Sequence, residues 1–142
     1  MVADREIVRD RCVRIRRYVG DLRSWSELTL DDFLRNRERQ YAVLHALQLA
    51  IEACLEIGSH ICSADGLGVP ASYAETLDFL ERAGVVDSTL ARDLRAMARF
   101  RNRIVHFYWE VDLEEVYRIV TTRPRDFDRF LKAVELYLEP TA

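Results

Sequence analysis

Apolar residues return every three or four positions along this chain, and no window alternates apolar with polar residues as a half-buried strand would. The clearest run is Leu44, Leu47, Ile51, Leu55, Gly58 and Cys62, whose stripe marks the segment as the central core helix. A helix with one apolar face must bury it against another element. Glycine is rare and the connections are short, and short connections make antiparallel neighbours. The pattern predicts an all-α antiparallel helical bundle with short additional helices. At 142 residues the chain reads as one domain over residues 1–142, large enough for a single core.

Local signals place the boundaries. Ile7, Val8, Cys12, Ile15, Tyr18, Val19 and Leu22 share a face of a first helix over about Ala3 to Leu22, with Arg5, Arg9, Arg16 and Arg23 as a basic edge beside it. Thr29 followed by Asp31 and Asp32 starts a short helix that runs or kinks into the long one. Ser63 to Ala71 is a loop, because Gly66, Gly68 and Pro70 oppose helix continuation. Ser72 and Glu75 form a capping box, and Gly84 supplies the stop. Asp87 caps a helix from about Ser88 to Val105, and Asp112 with Glu115 caps another through about Val120. Pro124 opens the last helix, with Phe127, Phe130, Leu131, Val134 and Leu138 on its buried side.

Arg101 contradicts the simple reading of the Ser88 helix. It falls in the middle of a stripe made by Leu90, Leu94, Met97, Ala98, Ile104 and Val105. Burying an unpaired guanidinium costs several kcal/mol or so, so Arg101 must meet a carboxylate, line a cleft or face a partner chain. Glu52, at the edge of the central stripe, is the candidate carboxylate if Arg101 is merely a paired, buried arginine with a structural role. Five residues on stands His106, then Tyr108, with Asn102 directly after the arginine.

Composition narrows the chemistry. The net charge of −3 argues against a protein that coats nucleic acid by bulk charge. Lys132 is the only lysine, so the positive charge is almost all arginine, whose planar fork matches phosphate oxygens. Cys12, Cys54 and Cys62 form no Cys-x-x-Cys pair and are expected as free thiols in a reducing cytoplasm. His45, His60 and His106 lack metal-ligand spacing; no structural zinc, other metal or cofactor is expected, and His45 and His60 read as surface residues. The N-terminus opens with Asp4, Arg5 and Glu6, and no stretch is expected to approach the roughly 18 to 20 apolar residues of a membrane span. A cytoplasmic protein without a membrane partner is expected.

The pattern Arg101-x-x-x-x-His106-x-Tyr108, with Asn102, resembles the motif of HEPN-domain ribonucleases and specifically the HepT toxin family. The resemblance extends to the Leu44 to Ile61 helix with its Ala50 to Ala53 core, and to Ser72-x-x-Glu75 followed by Leu77, Phe79, Leu80 and Gly84. It implies a HEPN-like fold, a metal-independent endoribonuclease acting on transfer or messenger RNA, and a composite active site at a homodimer interface. Arg101, Asn102 and His106 would be its catalytic residues. It also implies a toxin–antitoxin system, in which a nucleotidyltransferase antitoxin of the MntA type attaches AMP to Tyr108.

The residues fit such chemistry. Cleaving RNA without a metal needs a base for the 2′-hydroxyl proton, an acid for the leaving 5′-oxygen and a cation for charge building on phosphate. Histidine can be either acid or base near neutrality, and arginine stays charged. One chain offers only one motif histidine, about 140° around an ideal helix from Arg101. A two-fold dimer would supply a second Arg101 and His106. For Tyr108 itself, a core or interface role beside Phe107 and Trp109, base stacking, or modification are all open, and its spacing in the family motif favours modification. Arg92, Arg95, Arg99 and Arg103 flank the motif as a solvated face or as steering charge for RNA. Two alternatives keep a helical fold without the chemistry: a non-catalytic HEPN module serving a nucleotidyltransferase, and a plain helical interaction protein.

Overall fold

A computed structural model describes residues 4–139. Among the described residues the elements are α1 (Arg5–Trp25), α2 (Leu30–Arg35), α3 (Arg37–Ala64), α4 (Tyr73–Arg82), α5 (Ser88–His106), a 3-10 turn (Tyr108–Glu110), α6 (Leu113–Thr122) and α7 (Pro124–Leu138). The expected first helical residue, Ala3, lies outside the described residues, as do both ends of the 1–142 domain. The architecture is the all-α bundle the periodicity predicts, organised around α3, which contacts every other α-helix. Ile51, Ile57 and Ile61 of α3 meet Ile15 and Leu22 of α1 and Phe127 and Phe130 of α7 in one continuous core.

Most caps act as the sequence indicates, because each is a local hydrogen bond. The Thr29 hydroxyl accepts from the Asp32 amide, and the Asp87 carboxylate accepts from the Leu90 amide at 2.7 Å. Asn36 ends α2 and also caps α3, its side chain accepting from the Arg39 amide, so the two helices meet at a kink. Gly84 takes φ +76°, and the Val85 amide closes back on the Leu80 carbonyl. Two of the boxes differ from expectation. The Ser72 hydroxyl accepts from the Glu75 amide, but the Glu75 carboxylate takes the Ala71 amide rather than that of Ser72. Asp112 caps α6 alone, while Glu115 turns away to hold Arg103 with two hydrogen bonds of 3.1 and 2.6 Å.

Tertiary neighbours change three further readings. Half of the basic edge of α1 is tied into the bundle, since Arg16 pairs with Glu135 and Arg23 with Asp128, both on α7. Val105 lies on the apolar stripe by spacing, yet it is exposed, because the bundle ends before covering it. Helix α3 contains a window whose length and mean hydropathy of 1.3 match a membrane span, and 61% of that window is buried inside the bundle. That makes it a core helix. His60 also has a structural task, its Nε2 accepting the Asp4 amide at 2.9 Å, whereas His45 is exposed. All three cysteines are buried and outside any disulfide, and burial pushes each thiol up, which makes them poor nucleophiles.

Candidate active site

The buried stripe of α5 fixes the direction of Arg101. With Leu94, Met97, Ala98 and Ile104 packed into the core, the guanidinium is carried toward α3, where its side chain is only 18% exposed. Glu52 meets it there, the contact expected of an arginine with a structural role. Glu52 Oε1 accepts from Arg101 Nε at 3.0 Å and lies 2.9 Å from Nη2, and it also accepts from Gln48 Nε2 at 3.0 Å. The third nitrogen, Nη1, donates to the Asn102 side-chain oxygen at 3.2 Å. Tyr73, the first residue of α4, lies under the guanidinium with its ring centroid 5.3 Å away. Arg101 is therefore held on three sides, by Glu52, Asn102 and Tyr73.

Asn102 is exposed, and its oxygen is turned to Arg101 rather than to His106. Its amide nitrogen has no acceptor among the described residues. His106, the last residue of α5, is exposed and makes no hydrogen bond or ion pair among the described residues. The helix thus presents the arginine inward and the histidine outward, as the angular separation of five positions dictates. Within one chain the two do not converge.

Tyr108 opens the 3-10 turn that follows α5 and is 43% exposed, which rules out a core role. Its ring sits 6.4 Å from that of Tyr41 at the start of α3. Desolvation, reinforced by the Tyr41 phenol, raises its hydroxyl above the ordinary tyrosine value, so it is neutral at physiological pH. The hydroxyl has no hydrogen-bond partner among the described residues. Phe107 and Trp109 pack edge to face beside it, and Trp109 is 77% exposed. No group of three His, Cys, Asp or Glu side chains is placed to hold a metal ion among the described residues.

The four flanking arginines divide. Arg103 is occupied by Glu115, and Arg95 by Asp78 and Glu81 at 2.8 and 2.7 Å. Arg92 reaches Asp93 at 3.4 Å. Arg99 has no partner among the described residues and stands between two clefts, one of about 630 Å³ that it lines with Arg101 and Asn102 and one of about 540 Å³ that it lines with Asp93, Glu115 and Asp126. Two contributors were missed from the sequence: Gln48 is one turn before Glu52, a legible i, i+4 pair, while nothing in the spacing links Tyr73 to Arg101.

A bundle of this kind around one long core helix is the fold of HEPN toxins. The chain belongs to the Ribonuclease HepT-like family, whose pattern matches residues 11–134, and it is a ribonuclease. Among its relatives, the mRNA nuclease HepT of Shewanella oneidensis is 30% identical over 127 residues, covering 88% of this chain and 89% of the relative. The tRNA nuclease HepT of Aphanizomenon flos-aquae is 26% identical over 132 residues, covering 93% and 90%. A tri-AMPylated HEPN toxin of Shewanella oneidensis, solved in complex with MNT antitoxin, superimposes with a TM-score of 0.87 at 26% identity, covering 94% of this chain and 99% of that one.

Proposed function

We propose that this chain is the toxin of a cytoplasmic toxin–antitoxin pair, cleaving RNA without a metal at a site composed of Arg101, Asn102 and His106 from two copies. The observation that carries the reading is the division of labour on α5: a guanidinium locked by Glu52, Asn102 and Tyr73, and an unpartnered histidine turned outward. Exposed Val105, Phe107 and Trp109 surround that histidine, an apolar patch suited to a second copy. In the dimer one histidine takes the 2′-hydroxyl proton and the oxygen attacks phosphorus. The bond to the 5′-oxygen breaks, and the other histidine protonates the leaving group. Arg101 neutralises charge on the phosphate, and the free Asn102 amide donates to it.

Control falls to Tyr108. Its hydroxyl is accessible, neutral and uncommitted, all of which suit an acceptor of AMP from a nucleotidyltransferase antitoxin of the MntA type. The AMPylated toxin among the structural relatives supports that assignment. An AMP there would set a bulky anion beside His106 and obstruct RNA. Expression of the chain alone should slow bacterial growth, His106→Ala should restore it, and co-expression with a nucleotidyltransferase should add AMP-sized mass to the Tyr108 peptide. Growth equal to that of the His106→Ala strain would sink the toxin reading, and an unmodified Tyr108 peptide would sink the control reading.

A further inference from the structure

We propose that the cleft between α3, α4 and the middle of α5 is a subsite for a backbone phosphate of single-stranded RNA adjacent to the cleaved linkage, gripped by Arg99. The inference rests on the ribonuclease reading above. The cleft, about 630 Å³, is within the size range of ligand sites. Arg95, Arg99 and Arg101 line it from α5, Ser59 from α3, Tyr73 from α4 and Ser72 from the cap of α4. No carboxylate lines it.

Charge bookkeeping singles out one residue. Arg95 is occupied by Asp78 and Glu81, and Arg101 is held by Glu52 while keeping one hydrogen on each terminal nitrogen for the scissile phosphate, whereas Arg99, on the rim, has no partner among the described residues. An unpaired, permanently charged fork above a concave surface of hydroxyls and small side chains has the chemistry of a phosphate receptor. The cleft also shares Arg101 and Asn102 with the reaction centre. A strand whose scissile phosphate rests on Arg101 therefore runs directly into it, and the neighbouring nucleotide occupies the space beside Tyr73. This location makes Arg99 a determinant of substrate binding rather than of the chemical step.

The test uses the intact chain and a fluorescent 2′-O-methyl RNA of about twelve nucleotides, which has no 2′-hydroxyl to cleave and spans a typical single-strand site. Arg99→Ala removes the fork. Ala74→Glu introduces a carboxylate at an exposed cleft position in the first turn of α4, where the helix dipole favours it, so weakened binding cannot be blamed on unfolding. Each should weaken binding roughly tenfold, the cost of one charge-assisted contact. Arg99→Ala should also make the slope of log K against log salt shallower by about 0.7. Arg92→Ala, on the same helix outside the cleft, should bind as the wild type does. On cleavable RNA, Arg99→Ala should raise KM and leave kcat unchanged. Wild-type affinity in both cleft variants, or no binding by the wild type, overturns the proposal. Loss of binding in the cleft variants of a protein that cleaves no RNA would instead keep the subsite and reject the ribonuclease reading.

Discussion

Replacing Glu52 with alanine strands Arg101 in a pocket shaped around an ion pair. The two side chains are 20% and 18% exposed, between the regime in which surface pairs contribute about 0 to 1 kcal/mol and the one in which breaking a buried pair costs about 3 to 5 kcal/mol. The intermediate depth, with one carboxylate oxygen serving Arg101 and Gln48 together, places the loss near 2 kcal/mol. At about 2 to 4 °C per kcal/mol for a domain of this size, Tm should fall by about 6 °C. Arg101→Ala leaves the opposite charge unpaired and should cost a similar amount. Urea unfolding at one fixed protein concentration of the two single variants and the double variant isolates the pair. The double variant should be less destabilised than the sum of the singles by about 1 to 2 kcal/mol. Additivity within about 0.5 kcal/mol would show that Glu52 does not hold Arg101.

Two other perturbations address the scaffold. Asp93 is held below the usual carboxylate range chiefly by its hydrogen bond from Arg129, which ties α5 to α7. The folded state prefers the anion, so the stabilisation is complete above about pH 4 and disappears as pH falls through the lowered folded value. Asp93→Asn should cost about 1 to 2 kcal/mol at neutral pH and converge on the wild type in acid, read from unfolding midpoints across pH; a constant gap would contradict the linkage. Gly68, at φ +145°, would place an added Cβ 2.7 Å from the Phe79 ring, so Gly68→Ala should destabilise by about 1 to 3 kcal/mol on thermal melting. An unchanged Tm would contradict that packing.

Helix boundaries were legible in the sequence because a cap is a contact within three or four residues. Thr29, Asp87 and Gly84 act as their types dictate. The Arg101 to Glu52 contact was legible for a different reason: an arginine on an apolar stripe demands a carboxylate, and few stripe edges offer one. What the spacing could not reveal depends on which helices become neighbours. The pairing of Arg16 and Arg23 with α7 joins residues more than a hundred positions apart, and Tyr41 meets Tyr108 across the bundle. Val105 continues the periodic stripe but extends past the covering helices, a fact of length rather than of pattern. Glu115 was read as half of a box, yet a bidentate arginine within reach is the stronger competitor for its carboxylate.

The account stands most directly on RNA cleavage by the purified wild type and its Arg101→Ala and His106→Ala variants, with a mixed transfer and messenger RNA pool and EDTA present. Chelator-resistant cleavage by the wild type, lost in both variants while their dimers persist, is the predicted result. Cleavage abolished by EDTA, or retained when either side chain is removed, would contradict a metal-free site built on these two residues.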